Sequence, residues 1–259
     1  MKKIDLGWIK KGAFMRVLKI VAEGITTSFR YPHFMHGMHP SFEMPPPATI
    51  YGHICSALGE WVDPEGINFA YHFTYKKSFE DLEHVHVVEK SSGKFSNLNM
   101  PKALEGAVNP FKRTLLFQPK LILYLNRPEW KEAFLSPKYT LVLGRSQDLF
   151  TYKSVSVINL KNSLRAYFEA TLLPYNMLLP VGQGYSVLMP RFLDYKKNRA
   201  PKFFRYAVLK GRVFSNQFFK FSDYPVPDQF WIDPETPLIK DAQMGLMFHS
   251  FVDNGNLKD

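Results

Sequence analysis

Three consecutive prolines, Pro45-Pro46-Pro47, set the tightest limit on what this chain can fold into. A proline ring fixes φ and removes the backbone donor, so neither a helix interior nor a central strand can run through the triplet. The first turn of a helix accepts it. Directly afterwards Ile50, Ile54, Ala57, Leu58 and Trp61 recur at helical spacing, with Thr49 as a nearby cap and Gly59 at the stop. The prolines therefore predict one helix with a fixed beginning, and its flanks must be something else.

Both flanks read as strand. Residues 16–23 (RVLKIVAE) place Leu18, Ile20 and Ala22 on one side and Lys19 and Glu23 on the other. A Pro-, Met- and His-rich loop separates this stretch from the prolines. Beyond the helix, Phe69, Tyr71, Phe73 and Tyr75 alternate with smaller or polar residues, an aromatic-rich strand that residues 84–89 continue or partner. Residues 91–113 are irregular and basic, with Lys94, Lys102, Lys112 and Arg113 against Glu105. Strand character returns over 115–125, a short helix is predicted over 128–134, and a fourth strand over 139–143.

The order strand, helix, strand, strand, helix, strand is the split β-α-β pattern of the ferredoxin-like fold, an α+β class. RNA-recognition domains use this pattern with an open sheet face available to nucleic acid, although unrelated activities share it. The reading divides the chain into a ferredoxin-like domain over 12–160, with a basic insertion at about 90–114, and a small β-rich domain over 161–259. Short strand-like pieces in the second part include 203–213, and its end is acidic.

Composition narrows the partners. The chain has 259 residues, 46% hydrophobic and 15% aromatic, enough for a substantial core. A net charge of +10 favours polyanions, set against the plainer reading of a lysine-decorated soluble surface. From Asp223 onward seven acids face two lysines, so the body is basic and its last segment acidic. A single cysteine, Cys55, excludes an intramolecular disulfide and a Cys-based metal cage, and fits a reducing cytosol. The lysines at the N-terminus are followed by no apolar run of signal type. The uncharged stretch 170–190 is broken by Pro174, Asn176, Pro180 and Gln183, so a cytoplasmic protein with no membrane partner is expected.

Two stretches could grip nucleic acid. Residues 191–212 carry Arg191, Lys196, Lys197, Arg199, Lys202, Arg205, Lys210 and Arg212 against Asp194, interleaved with Phe192, Tyr195, Phe203, Phe204 and Tyr206. Cations neutralise phosphates while aromatic faces stack on unpaired bases, which suits single-stranded RNA; a solvated hairpin over core aromatics is the alternative. The insertion, with Lys94, Lys112 and Arg113, is suited to wrapping a strand, with disorder as the competing reading. His33, His36 and His39 form HxxHxxH, but Glu43 is the only nearby acid, so no metal is expected. Tyr51, His53 and the loop histidines are conceivable acid–base groups for RNA cleavage, with nothing in their spacing to single them out. Gly182 and Gly184 lack the third glycine and the strand–helix context of a nucleotide fingerprint.

Three blocks carry a resemblance: Ile25-Thr26-Thr27-Ser28-Phe29-Arg30, Pro45-Pro46-Pro47-Ala48-Thr49-Ile50-Tyr51-Gly52, and Leu143-Gly144-Arg145-Ser146-Gln147-Asp148. In this order and spacing the first 160 or so residues resemble the Cas-five family of CRISPR-associated RAMP proteins. That family is the subunit of type I Cascade that holds the 5′ handle of the guide RNA (crRNA). The resemblance implies a ferredoxin-like domain whose basic insertion is the family's thumb, and no cofactor beyond the guide RNA. The implied partners are the crRNA handle, the backbone subunit, the large subunit and, through the complex, target DNA. Arg30 and the Gly144-Arg145-Ser146-Gln147 block would lie near the handle. Arg145 is the first candidate, since a planar guanidinium can clamp a phosphate bidentately or stack on a base. The FMHGMHP loop and PPPATIYGHI helix start are closest to a non-cutting branch of type I-B kind. A non-catalytic subunit is therefore expected, with metal-independent endoribonuclease processing of the crRNA precursor as the alternative.

Overall fold

The computed structural model describes residues 14–33, 37–95 and 97–253. The first thirteen residues, His36 of the HxxHxxH run and the last acid and lysine of the chain lie outside the described residues.

The protein is mostly β-sheet with few helices, a mixed α+β arrangement. Strand β1 (Phe14–Gly24) leads through two-residue pairings at 26–42 to helix α1 (Pro47–Leu58). Strand β2 (Asn68–Thr74) follows, then a long hairpin of β3 (Lys77–Phe95) and β4 (Leu98–Phe117), then β5 (Lys120–Leu125), helix α2 (Lys131–Leu135) and β6 (Phe150–Ser163). Strands β2, β5, β1 and β6 lie side by side in that order, each antiparallel to its neighbour.

The helix begins where the prolines dictate. Pro46 is the cap and Pro47 the first helical residue, and Gly59 ends the helix at φ 84°, its N–H donating to the Cys55 carbonyl at 2.8 Å. Ile50, Ile54 and Ala57 pack with Phe134 of α2 onto Leu18, Ile20, Phe69, Tyr71, Phe73 and Leu123. Each large side chain withdrawn from water in this way contributes about 1.5–3 kcal/mol.

Beyond β6 the chain adds to both edges of the same sheet. Strands β7 (Ala166–Phe168), β8 (Thr171–Pro174), β9 (Tyr185–Asp194), β10 (Ala200–Leu209), β11 (Val213–Phe214), β12 (Phe230–Ile232), β13 (Gln243–Leu246) and β14 (His249–Ser250) complete it. The full order is β9-β10-β8-β2-β5-β1-β6-β12-β13-β7-β11, with β14 also against β2. β7 and β13 run parallel.

Three expectations are corrected. The sheet face opposite the helices is not open. Val17, Ala70, Tyr124, Ile158 and Leu160 on that face are buried under Tyr167, Ala242, Met244 and Leu246. The cause is its apolar character, which water would penalise if it were bare. The fourth strand is β6, not residues 139–143, where Val142 makes only an isolated bridge to Leu149. The basic insertion is not irregular but the outer part of the β3–β4 hairpin, in antiparallel register from Lys77↔Phe117 to Phe95↔Leu98 with slips near 86–95. Val85, Val88 and Val108 there are exposed, so neither face is buried and no period of two is imposed on the sequence.

The acidic segment turns back on its own chain. Asp233, fully buried, accepts from Tyr124 Oη at 2.7 Å and pairs with Lys19 at 2.6 Å. Asp253 pairs with Arg191.

Candidate nucleic-acid interface

The loop after α2 is built around Gly144. Its φ is +110°, and a Cβ there would collide with Thr27 Oγ1 and sit 2.9 Å from the Ser28 carbonyl. Thr27 Oγ1 donates to the Leu143 carbonyl, and Asp148 accepts from the Ser28 N–H at 3.2 Å and the Arg145 N–H at 2.8 Å. The first and third resemblance blocks are thus tied together by hydrogen bonds. Gly144→Ala should cost about 2–4 kcal/mol through steric overlap and backbone strain. Its check is a thermal melt, in which a variant as stable as the parent would refute the packing described.

Arg145 projects from this loop against the base of the β3–β4 hairpin. Its Nη2 donates to Asp148 Oδ1 at 2.7 Å and its Nε to Asp148 Oδ2 at 3.0 Å, while Nη1 pairs with Glu83 Oε1. Burial works against its charge, but the bonds to Asp148 and then Glu83 outweigh that, holding its pKa above the ordinary arginine value. Glu83 is shared: Arg113 Nε donates to its other oxygen at 2.7 Å. Arg113 is itself buried, lies 3.3 Å from His39 Nδ1 and rests over the Phe111 ring. Ser146 and Gln147 stand exposed at the loop's tip, and Lys112 on the hairpin is 3.6 Å from Glu80. An open cleft runs between loop and hairpin, lined by Thr26, Phe79, Glu83, His84, Arg145 and Gln147.

The structure therefore brings Arg113, Arg145 and Gln147 together at the cleft, with Ser146 beside them at the loop's tip; Lys112 neighbours Arg113 along the strand but is placed against Glu80. Arg30 is exposed on the short 29–30 strand that pairs with 41–42, two residues beyond Ser28. Lys94 is far out on the hairpin arm, exposed and opposite Pro101.

A second basic surface lies at the β9–β10 hairpin. Asn198 and Arg199 both take positive φ, 52° and 58°, and turn the chain. Lys196, Lys197 and Arg199 are exposed there, and among the described residues none of the three has an ion-pair partner. Aromatic rings flank them: Tyr195 stacks on the exposed Trp61 at 4.6 Å, and Phe203 on His33 at 5.5 Å. Arg191, predicted as part of the same surface, is instead buried. It donates to the Ser250 and Val252 carbonyls, both at 2.9 Å, and pairs with Asp253, so its fork holds the end of the described chain.

Sequence reasoning missed Glu83, Asp148 and His39 as partners of the arginines. Asp148 had a local signal, three residues after Arg145. Glu83 and His39 come from distant segments and had none. His33 stacks on Phe203 and His39 on Phe111, and among the described residues no group of three His, Cys, Asp or Glu is placed to hold a metal. His53 is buried between the Val142 carbonyl and the Tyr152 hydroxyl, and burial lowers its pKa. Tyr51 donates to the Val62 carbonyl at 2.5 Å, and burial raises its pKa. Both side chains are engaged inside the core.

Among the described residues no helix is long and apolar enough to cross a membrane. No family model matches the chain. No curated protein is similar to it at a significant level. Among solved structures, a CRISPR protein from Archaeoglobus fulgidus is 10% identical with a TM-score of 0.40, aligning 77% of this chain with 91% of that one. A chain of a CRISPR RNA-guided surveillance complex is 12% identical with a TM-score of 0.50, aligning 78% of this chain with 92% of that one. The fold described above is thus of the kind found in a subunit of a CRISPR RNA-guided surveillance complex.

Proposed function

We propose that the protein is a non-catalytic RNA-binding subunit of a type I CRISPR Cascade complex that grips the 5′ handle of the guide RNA. The observation that carries this reading is the β9–β10 turn, where Lys196, Lys197 and Arg199 stand exposed, with no ion-pair partner among the described residues, beside stacked aromatic rings. Uncompensated cations next to π-faces are what a single strand requires: charge for its phosphates and surfaces for its bases. The side-by-side order β2-β5-β1-β6 supports reading the first 160 or so residues as a ferredoxin-like RAMP unit with the β3–β4 hairpin as its thumb. The backbone subunit and the large subunit would be its partners, and target DNA would be met through the assembled complex.

The sheet face is closed, so RNA would run along the hairpins and the 144–148 loop. Titrating the purified chain with repeat-derived RNA at several salt concentrations tests this. Log affinity should fall linearly with log salt. Replacing Lys196, Lys197 and Arg199 together by alanine should reduce the slope by about 2, at roughly 0.7 for each phosphate no longer neutralised. A variant with an unchanged slope, or a parent indifferent to the handle sequence, would remove the basis for the reading.

A further inference from the structure

The Arg113–Glu83–Arg145 bridge has the form of an anion site filled by the protein's own carboxylate. Two guanidinium groups from different segments converge on Glu83, which takes Arg113 on Oε2 and Arg145 on Oε1. The four groups around this point are not equivalent. Asp148 is fully buried and bound by two backbone N–H groups besides the Arg145 side chain, so it is a fixed counter-ion. Glu83 has one-fifth of its side chain exposed, sits on a hairpin strand whose neighbours Leu82 and His84 are exposed, and faces the open cleft. Arg113 keeps His39 and the Phe111 ring if Glu83 leaves.

We propose that Glu83 is a displaceable stand-in for a phosphodiester, and that a single-stranded RNA entering the cleft takes Arg113 and Arg145 from it. This deepens the reading above and rests on it. A phosphodiester presents two non-bridging oxygens with much the same reach as a carboxylate, and arginine forks donate to either bidentately. With Glu83 in place the site has no net attraction for an anion, because its two arginines are matched by Glu83 and Asp148, and Asp81 adds a further acid at the mouth. Binding must therefore move the Glu83 carboxylate outward, away from the two guanidinium groups at the base of the β3–β4 hairpin.

The test compares affinities of the full chain for a labelled single-stranded RNA of the repeat-derived handle sequence. Glu83→Asp is the decisive variant. It leaves the net charge unchanged but withdraws the carboxylate by one methylene, and it should bind several-fold tighter than the parent. Glu83→Gln should bind about tenfold tighter, since charge-assisted contacts of this kind differ from neutral ones by about that factor. Glu80→Gln removes an equal charge from an exposed pair nearby and should give much less. If both Glu83 variants bind no tighter than the parent and Glu80→Gln respectively, the stand-in role is overturned while the RNA-binding reading survives. If the parent binds no RNA, both fall. Should Glu83→Gln unfold, Glu83→Asp alone decides, and arginine-to-alanine changes at 113 or 145 should abolish its gain.

Discussion

Acidification from about pH 6.5 to about 4 is expected to strip several kcal/mol from the stability of this protein. The largest contributions come from two histidines that the fold buries in the neutral form, and buried His53 adds to them in the same direction. His72 donates through Nδ1 to the Glu169 carbonyl at 2.8 Å, while its Nε2 is buried with no well-formed hydrogen bond among the described residues. His249 donates through Nε2 to the Leu172 carbonyl at 2.9 Å and sits edge-on to Tyr206. Burial pushes both pKa values down from 6.5 to about 4, with the Glu169 and Leu172 carbonyls offsetting only part of the effect. The sign follows from linkage. Above 6.5 both states are unprotonated and nothing changes; between 6.5 and 4 the unfolded chain takes up protons that the native chain refuses, so stability falls with pH. Each site contributes up to about 3 kcal/mol across that window. Denaturant midpoints measured at neutral and mildly acid pH would show this, and replacing His249 by glutamine should flatten the slope by somewhat less than half. Constant stability down to about pH 5 would contradict the burial described.

Asp233→Ala should be the most damaging single substitution, at about 3–5 kcal/mol, because it breaks a buried charge cluster from one side. Lys19, with 14% of its side chain exposed, would keep only the solvent-facing Glu235 at 3.0 Å. The Tyr124 hydroxyl would lose its acceptor inside the core. The Asp233 carboxylate also caps its own turn, accepting from the Glu235 N–H at 2.9 Å. This cluster sits where β12 and β13 cover the second face of the sheet. A thermal melt with a dye that reports exposed apolar surface should therefore show a lower midpoint and greater dye binding. A variant with the parent's melting temperature would show that Asp233 is replaceable.

The sequence was most legible where the hydrophobic period was enforced by burial on one side. β1, α1 and β2 were readable because Leu18, Ile54 and Phe73 all point into one core, and the prolines confined the start of α1 to within a turn; Thr49, read as a nearby cap, lies inside the helix, which Pro46 caps. The β3–β4 arm was hard to read because exposure on both faces leaves alternation unselected. The position of β6 was missed because the stretch before it contains Leu141 and Leu143, which anchor a loop and not a strand. In the candidate interface, exposed lysines are visible from composition alone, whereas Arg145, Arg113 and Arg191 carry the same charge in the sequence but are engaged in the fold. Whether a cation is free depends on carboxylates from remote segments, and spacing along the chain does not encode that.

The way the last strands complete the sheet has a consequence for biosynthesis. β1 pairs with β6, and the apolar face they share is fully covered only when Ala242, Met244 and Leu246 join Tyr167 over it. At ribosomal rates of about 5–20 residues per second, the stretch from β6 to β13 takes on the order of ten seconds to emerge. For that interval the nascent chain carries Val17, Tyr124, Ile158 and Leu160 on an incompletely covered surface, and chaperone capture within it would favour a high yield of folded protein.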